Sequence, residues 1–308
     1  MLATHFPGIR TIVLDRNYGF TGGYNRAMAR LLSGPGPRPE YLLLLNSDIL
    51  VDPGWLDRLT DYMDTHPECG VCGPKLLALT HKDGAYIQTD RLEYAGAAGG
   101  YIDRFGYPFC RGRVLSRTDV DGPGYSSVKD VLWVSGACLM TRASLWEESG
   151  GLDERFFAHM EEIDYCWRAQ LAGHRVRVVP SSRVWHLGGG TLPRTSATKL
   201  RLNYRNGLLL LDNNLAPTIG RFKARVRIIT RLVLDDCSAL VYLLVGKTDF
   251  CGSVFRAHRE YRRLRKVPHK AASRNGDVRG VAPVCIILQS LLRGERIFDY
   301  LRRYEDSH

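Results

Sequence analysis

The chain has no run of residues apolar and long enough to cross a bilayer, which takes about twenty. Val226–Val245 is interrupted by Arg231, Asp235 and Asp236, and Val281–Leu292 is too short. Met1 to Phe20 shows no basic start followed by an apolar run, so no secretory signal is read there. The expected compartment is the cytoplasm, where thiols stay reduced. No internal repeat or low-complexity tract occurs, which excludes a solenoid or a compositionally disordered protein. Cys69-Gly70-Val71-Cys72 has no second cysteine pair at finger-like spacing, and Cys72 runs directly into Gly73-Pro74. Small buried side chains at a strand are favoured there over a zinc or redox site.

What is present suits a globular protein. Of 308 residues, 44% are hydrophobic and 24% charged, enough to bury a sizeable core. The net charge of +11 is unevenly spread. Arg221 to His308 holds 19 Lys+Arg against 9 Asp+Glu, a net of +10, leaving +1 for everything before it (11 − 10). An acidic partner is expected at the carboxyl-terminal end alone. No recognised nucleic-acid motif occurs there, so no nucleic acid is expected.

Short apolar segments alternate with helical patterns. Strands are expected at Thr11–Leu14, Tyr41–Leu45 and Cys69–Gly73, the second buried on both faces. A glycine-rich turn at Asn17–Asn25 leads into a helix over Asn25–Leu32. Asp52-Pro53 supplies an N-cap and a first-turn proline for a helix over Pro53–Thr65. This order predicts an open α/β sheet, parallel in this stretch. His81–Gly124 reads as loops and short strands. Val131–Thr141 reads as a strand, Glu161–Ala172 as a helix, and Arg175–Val179 as a strand stopped by Pro180. After Pro217 two apolar segments flank the basic stretch Arg256–Lys270. That pattern fits a membrane-surface appendage or a helical subdomain with a solvated basic face.

Three constellations carry chemistry. Asn46-Ser47-Asp48 ends a buried strand, where open α/β sheets bind ligands, and a carboxylate there suits Mg²⁺ or Mn²⁺. Alone, it equally makes a turn. Glu161, Glu162 and Asp164 crowd three carboxylates into four positions, and their repulsion raises pKa values, as a general base needs. On a helix Glu161 and Asp164 share a face, Asp164 reaches Arg168, and Glu162 points elsewhere. The bland reading is a helix start where acids favour the dipole. His186 precedes Gly188-Gly189-Gly190-Thr191. It is a candidate metal ligand or an ordinary polar residue, and the glycines imply a close approach of a ligand or backbone.

Six segments occur in a fixed order: Asn17-Tyr18-Gly19-Phe20-Thr21-Gly22-Gly23-Tyr24-Asn25, Leu44-Leu45-Asn46-Ser47-Asp48, Ser135-Gly136-Ala137-Cys138, Gly150 to Phe157, Glu161 to Asp164, and His186. Their order and spacing, from about Ile9 to Leu215, resemble the family 2 glycosyltransferases of the GT-A fold, and most of all the rhamnosyltransferase-like branch. The stretches from Tyr94 to Gly100 and from Gly106 to Arg113 look like features of one sub-branch. The resemblance implies a Rossmann-like catalytic domain over residues 1–216 and a basic helical appendage over 217–308. It implies a nucleotide-diphospho-sugar donor, a glycan or lipid-linked hydroxyl acceptor, inversion at the anomeric carbon, and a divalent metal, Mg²⁺ or Mn²⁺. Asp48 and His186 would hold the metal. Asn17, Gly22, Gly23, Asn25, Asn46 and Arg205, the last within an Arg205-Asn206 pair, would serve the donor. Glu162 would be the base, supported by Glu161 and Asp164. The enzyme is expected at the inner face of the cell membrane, in contact with anionic lipid.

The sequence departs from the family in two ways. Asn46 stands for the first Asp of the Asp-x-Asp motif, and Glu162 for the usual catalytic Asp. The two strand–helix units that normally carry the first nucleotide-binding motifs are also not found, so the GT-A sheet is expected to be incomplete at its amino-terminal end. Either a start upstream of Met1 or a degenerate, inactive copy accounts for this. Outside the class, a basic membrane- or nucleic-acid-binding protein is the remaining alternative.

Overall fold

The computed structural model describes residues 2–188, 196–269 and 276–306. A mixed seven-stranded sheet forms the centre, in the order Tyr41–Leu45, Cys138–Arg142, Cys69–Lys82, Arg175–His186, Ile49–Val51. Ala85–Leu92 pairs with Cys69–Lys82, and Lys129–Asp130 with Arg175–His186. The first nine residues of Cys69–Lys82 are all buried, because that strand has a neighbour on each edge and helices on its faces. Leu59 and Met63, one turn apart on the helix Trp55–Thr65, close one face over Cys69, Cys72, Met140 and Val179. On the other face the helix Glu161–Leu171 and the long helix Ala197–Ile219 share the main core with Leu42, Leu44 and Val71. A smaller antiparallel sheet, Gly100–Ile102 to Arg117–Thr118, lies beyond.

The sheet corrects several expectations. Only Cys69–Lys82 and Arg175–His186 run parallel; the other pairs are antiparallel. Tyr41–Leu45 is an edge strand paired only with Cys138–Arg142 among the described residues, so it buries Leu42 and Leu44 and not both faces. The Leu45 backbone on the open side meets the Tyr24 hydroxyl, which donates to the carbonyl and accepts from the N–H, each at 3.1 Å. Thr11–Leu14 is irregular and lies at the surface, with Val13 81% exposed; among the described residues no strand lies beside it to complete a ladder. The glycine-rich segment is the first turn of the helix Gly19–Ser33 and not a turn before it. Asp52 does not cap the next helix, whose N-cap is Gly54 in the left-handed region; Asp52 pairs with Arg58 and Arg183 instead. Val131–Ala137 is loop, and the strand begins at Cys138. Pro180 does not stop its strand. The ladder shifts register between Val179 and Arg183, and this bulge absorbs the proline's missing donor.

Three helices, Ala197–Ile219, Arg221–Leu244 and Thr248–Leu264, pack on one another. Ser196 caps the first, its hydroxyl accepting from the Lys199 N–H at 3.1 Å, and Pro217 sits in that helix's last turn. The chain then returns to the small sheet. The Ile102 N–H donates to the Gly280 carbonyl at 3.0 Å, and the helices Ile286–Arg293 and Ile297–Asp306 add Ile286, Ile297 and Leu301 to the main core. Buried Arg111 donates to Glu305 at 2.9 Å. No helix among the described residues is long and apolar enough to cross a membrane.

Candidate active site

Asp48 and His186 are brought together by the sheet. Antiparallel pairing sets Ile49 opposite His186, and the Leu187 N–H donates to the Asp48 carbonyl at 3.1 Å. The Asp48 carboxylate lies 3.3 Å from His186 Nε2. On the far side of the ring, Glu93 Oε1 stands 3.4 Å from Nδ1. Glu93 is 3% exposed and takes the Ala95 N–H on its other oxygen. The sequence reading missed it; the signal was an acid entering the small-residue run that starts at Ala95. Burial works against the charged imidazole, but Glu93 and Asp48 outweigh it and hold His186 above its ordinary value. The contact is one of charge, since Nδ1 makes no hydrogen bond among the described residues.

The acidic cluster separates into distinct members. Asp164 is fully buried, accepts from Arg168 Nε at 2.8 Å, and accepts from Asn213 and Asn214, each at 2.8 Å. It belongs to the scaffold. Glu161 is buried, and burial together with the neighbouring Glu162 charge drives its carboxyl well above the usual range. Glu162 is half-buried, and burial pushes its carboxyl up to about 7. Glu161 Oε2 and Glu162 Oε2 are shut off from solvent without a hydrogen-bond partner among the described residues. So is His159 Nε2, whose ring is pushed down to about 4 by burial and by Lys199.

The turn before this helix is strained. Phe157, His159 and Met160 take φ values of 65, 72 and 70°, each in the left-handed region that side chains avoid. Arg205 and Asn206 hold it there. Arg205 donates to the Arg155 and Phe156 carbonyls and pairs with Glu260, while Asn206 donates to the carbonyls of Phe156, Ala158 and His159. Arg205 thus serves the turn in this structure.

Asn17 Oδ1 accepts from the Gly19 N–H at 2.8 Å and starts the helix. Asn25 clips the Leu152 backbone in both directions. A side chain at Gly22 would meet Arg26 and Tyr18, whereas Gly23 has open space beside it. The Asn46 N–H donates to the Ala137 carbonyl at 2.9 Å. A Cβ at Gly136 would stand 3.4 Å from the Glu162 Cβ. The segment Gly136–Ala137 thus touches both the residue two before Asp48 and Glu162 of the acidic helix. Gly189, Gly190 and Thr191 lie outside the described residues.

Asp48 and His186 offer a hard cation one carboxylate oxygen and one imidazole nitrogen on the same side, a donor set that suits Mg²⁺ or Mn²⁺. Among the described residues no three His, Cys, Asp or Glu side chains converge as a complete cage. A cation there would take its remaining ligands from substrate and water, as Mg²⁺ commonly does. Cys69 and Cys72 are buried in the core, their thiols pushed up by burial, Cys69 to about 12.

Comparison with known proteins follows this geometry. The chain is 28% identical over 211 residues to the N-acetylglucosaminyl-diphospho-decaprenol L-rhamnosyltransferase of Mycobacterium tuberculosis, covering 67% of each chain. It is 26% identical to the rhamnosyltransferase WbbL of Escherichia coli, covering 60% of this chain and 66% of that one. It is 32% identical over 150 residues to the O-antigen biosynthesis protein RfbC of Myxococcus xanthus, which covers 48% of this chain and 11% of that one. Among solved structures, it is similar to GalNAc-T7 with UDP, GalNAc and Mn²⁺ at a TM-score of 0.45 and 14% identity, covering 65% of this chain and 35% of that one. The resemblance to the rhamnosyltransferase-like branch thus extends over about two thirds of the length of these two relatives. The profile described as glycosyltransferase like family 2 matches residues 2–207, more than half the chain, and the chain belongs to that family of glycosyltransferases.

Proposed function

We propose that this glycosyltransferase moves a sugar from a nucleotide-diphospho-sugar to a hydroxyl of a lipid-linked glycan, with inversion, in the synthesis of a cell-surface polysaccharide at the cytoplasmic face of the membrane. The observation that supports this most is the setting of Glu162: a carboxylate with one oxygen unpartnered among the described residues, beside the small Gly136, and raised by burial. A carboxylate raised toward neutrality is a stronger base than a solvated one. Glu162 takes the proton of the acceptor hydroxyl. The freed oxygen forms a bond to the anomeric carbon, and the bond from that carbon to the diphosphate breaks from the opposite face. The proton stays on Glu162 until solvent takes it, and the nucleoside diphosphate leaves with the bonding electron pair.

Asp48 and His186 would hold a divalent cation, Mg²⁺ or Mn²⁺, which when bound offsets the charge of the departing diphosphate. Glu93, 3.4 Å behind the ring, would favour an imidazole turned toward Asp48. Arg205 and Asn206 fix the strained turn and so the entry of Glu162 into the site. The names of the Mycobacterium tuberculosis and Escherichia coli relatives make a rhamnosyl donor and a diphospho-polyprenol-linked sugar the first pair to try.

The test is transfer by the purified chain from a panel of nucleotide sugars to such an acceptor, with product anomer read by NMR. An inverted product formed only with Mg²⁺ or Mn²⁺ supports the reading. A folded chain that binds no donor and transfers nothing is a remnant, and the proposal is then wrong.

A further inference from the structure

We propose that the outer face of the helix Arg221–Leu244 is a docking ridge for an anionic lipid surface. The ridge deepens the reading of a membrane-borne acceptor and rests on that reading for its purpose, but not for its detection.

The helix has two unlike faces. Ala224, Arg231, Asp235 and Ala239 are buried against the protein. On the opposite side Phe222, Val226, Ile229, Val233, Leu240 and Leu244 are exposed, Phe222 by 81% and Leu244 by 76%. Their spacings, with exposed Cys237 between Val233 and Leu240, are those of a single helical stripe. The stripe runs the length of the helix, about 36 Å. Scattered apolar residues on a surface need no account, but a continuous row of this length does.

A second apolar row is exposed later in the chain. Leu288, Leu291 and Leu292 are exposed on one face of Ile286–Arg293. Both helices are tied to the same loop: Arg231 donates to the Gly106 carbonyl at 3.0 Å, and the Ile286 N–H donates to Asp103 at 3.1 Å.

Charge selects the occupant. Arg221, Lys223 and Arg225 are exposed at the start of the stripe and Lys247 just past its end. A second copy pairing parallel along the stripe would set these cations against one another, and an antiparallel copy would bring them to Lys247 and the exposed Asp249, with no net charge to attract them. Asp236, the acid beside the stripe, already faces His258 at 3.5 Å. An anionic lipid surface meets both features together: headgroups take the cations and the acyl boundary takes the apolar row. Since no described helix crosses a membrane, the ridge would lie in the interface and not through it.

The experiment uses the whole chain and sedimentation with two kinds of vesicle, phosphatidylcholine alone or in equal parts with phosphatidylglycerol. The chain should bind the anionic vesicles and be partly released by salt. Phe222→Ser, Ile229→Ser and Val233→Ser together should lower the bound-to-free ratio at least about tenfold, since each removes apolar area from the interface. Circular dichroism and Tm should stay unchanged, because these side chains are exposed. A separate Phe222→Trp reporter should shift its emission to the blue on anionic vesicles. Equal binding of the triple variant and the parent, or a reporter whose emission does not move, overturns the proposal. So does light scattering in which the parent is a dimer and the triple variant a monomer, which assigns the stripe to a second copy. None of these readouts involves sugar transfer, so the ridge and the catalytic assignment fail separately.

Discussion

Asp164 and Arg168, one turn apart on the same helix, form an ion pair closed to solvent, Nε to Oδ2 at 2.8 Å, with side-chain exposures of 0% and 6%. This pair marks Asp164 as the acid that builds the helix, apart from Glu162 beside Gly136. Asp164→Asn should therefore cost stability, about 3–5 kcal/mol, because Arg168 is left buried without its counter-charge. Urea unfolding measures it, and a loss under about 1 kcal/mol would contradict the scaffold assignment.

Glu162→Gln keeps the shape of the side chain and removes its basicity. Transfer should fall about a hundredfold or more, with donor binding and Tm near those of the parent. Glu161→Gln should act mainly on the helix start. If Glu162→Gln keeps normal turnover while Glu161→Gln loses it with donor binding intact, the base is the neighbour.

The same carboxyl sets a pH dependence. Turnover needs ionised Glu162, so kcat/KM should rise with pH through a midpoint near its value of about 7. Stability should move the other way. The folded protein holds this proton more tightly than the unfolded chain, whose carboxyl has its ordinary value of 4.5. That contribution is fully present below 4.5 and is lost as pH rises from there to about 7. Glu162→Gln should flatten this part of the Tm profile, and an unchanged slope would place the proton elsewhere.

Mn²⁺ binding, followed by electron paramagnetic resonance with a nucleoside diphosphate present, should require Asp48. Asp48→Asn should weaken it by about a hundredfold, and Glu93→Gln by about tenfold through a misdirected imidazole. Unchanged Mn²⁺ affinity in Asp48→Asn would remove the cation from this turn.

Arg231 is buried, donates to Asp235 at 2.8 Å, and holds the Gly106 carbonyl. Arg231→Met should cost about 3–5 kcal/mol, since Asp235 stays buried with only His258 Nε2, 3.6 Å away, to offset its charge. Adding Asp235→Leu should recover much of the loss, which chemical denaturation reads directly.

Some local features were legible in the sequence, and pairings between distant segments were not. The i, i+4 reach of Asp164 to Arg168 follows from helix geometry alone. So does the place of Asp48 at a strand end. Strand direction depends on which distant segments meet, and the antiparallel insertion of Cys138–Arg142 between Tyr41–Leu45 and Cys69–Lys82 leaves no local trace. Pro180 misled because a bulge admits a proline that a regular ladder refuses. Glu93 was missed because its importance lies in His186, 93 positions later, and a single acid has no periodicity to betray it. Arg205 was expected to serve the donor, and in this structure its Nη2 holds the carbonyls of the strained turn, a contact between distant segments.

The Tyr24 hydroxyl on the Leu45 backbone has a consequence for solubility. An open strand edge invites any passing extended chain to add itself, and edge-to-edge growth of that kind leads to aggregates. With its N–H and carbonyl both engaged by one phenol, Leu45 gives an incoming strand nothing to bond at the end nearest the Asp48 turn. Tyr24→Phe removes the hydroxyl and keeps the ring. Through that single oxygen it should turn a quiet edge into a sticky one, with turbidity on storage appearing before any loss of fold.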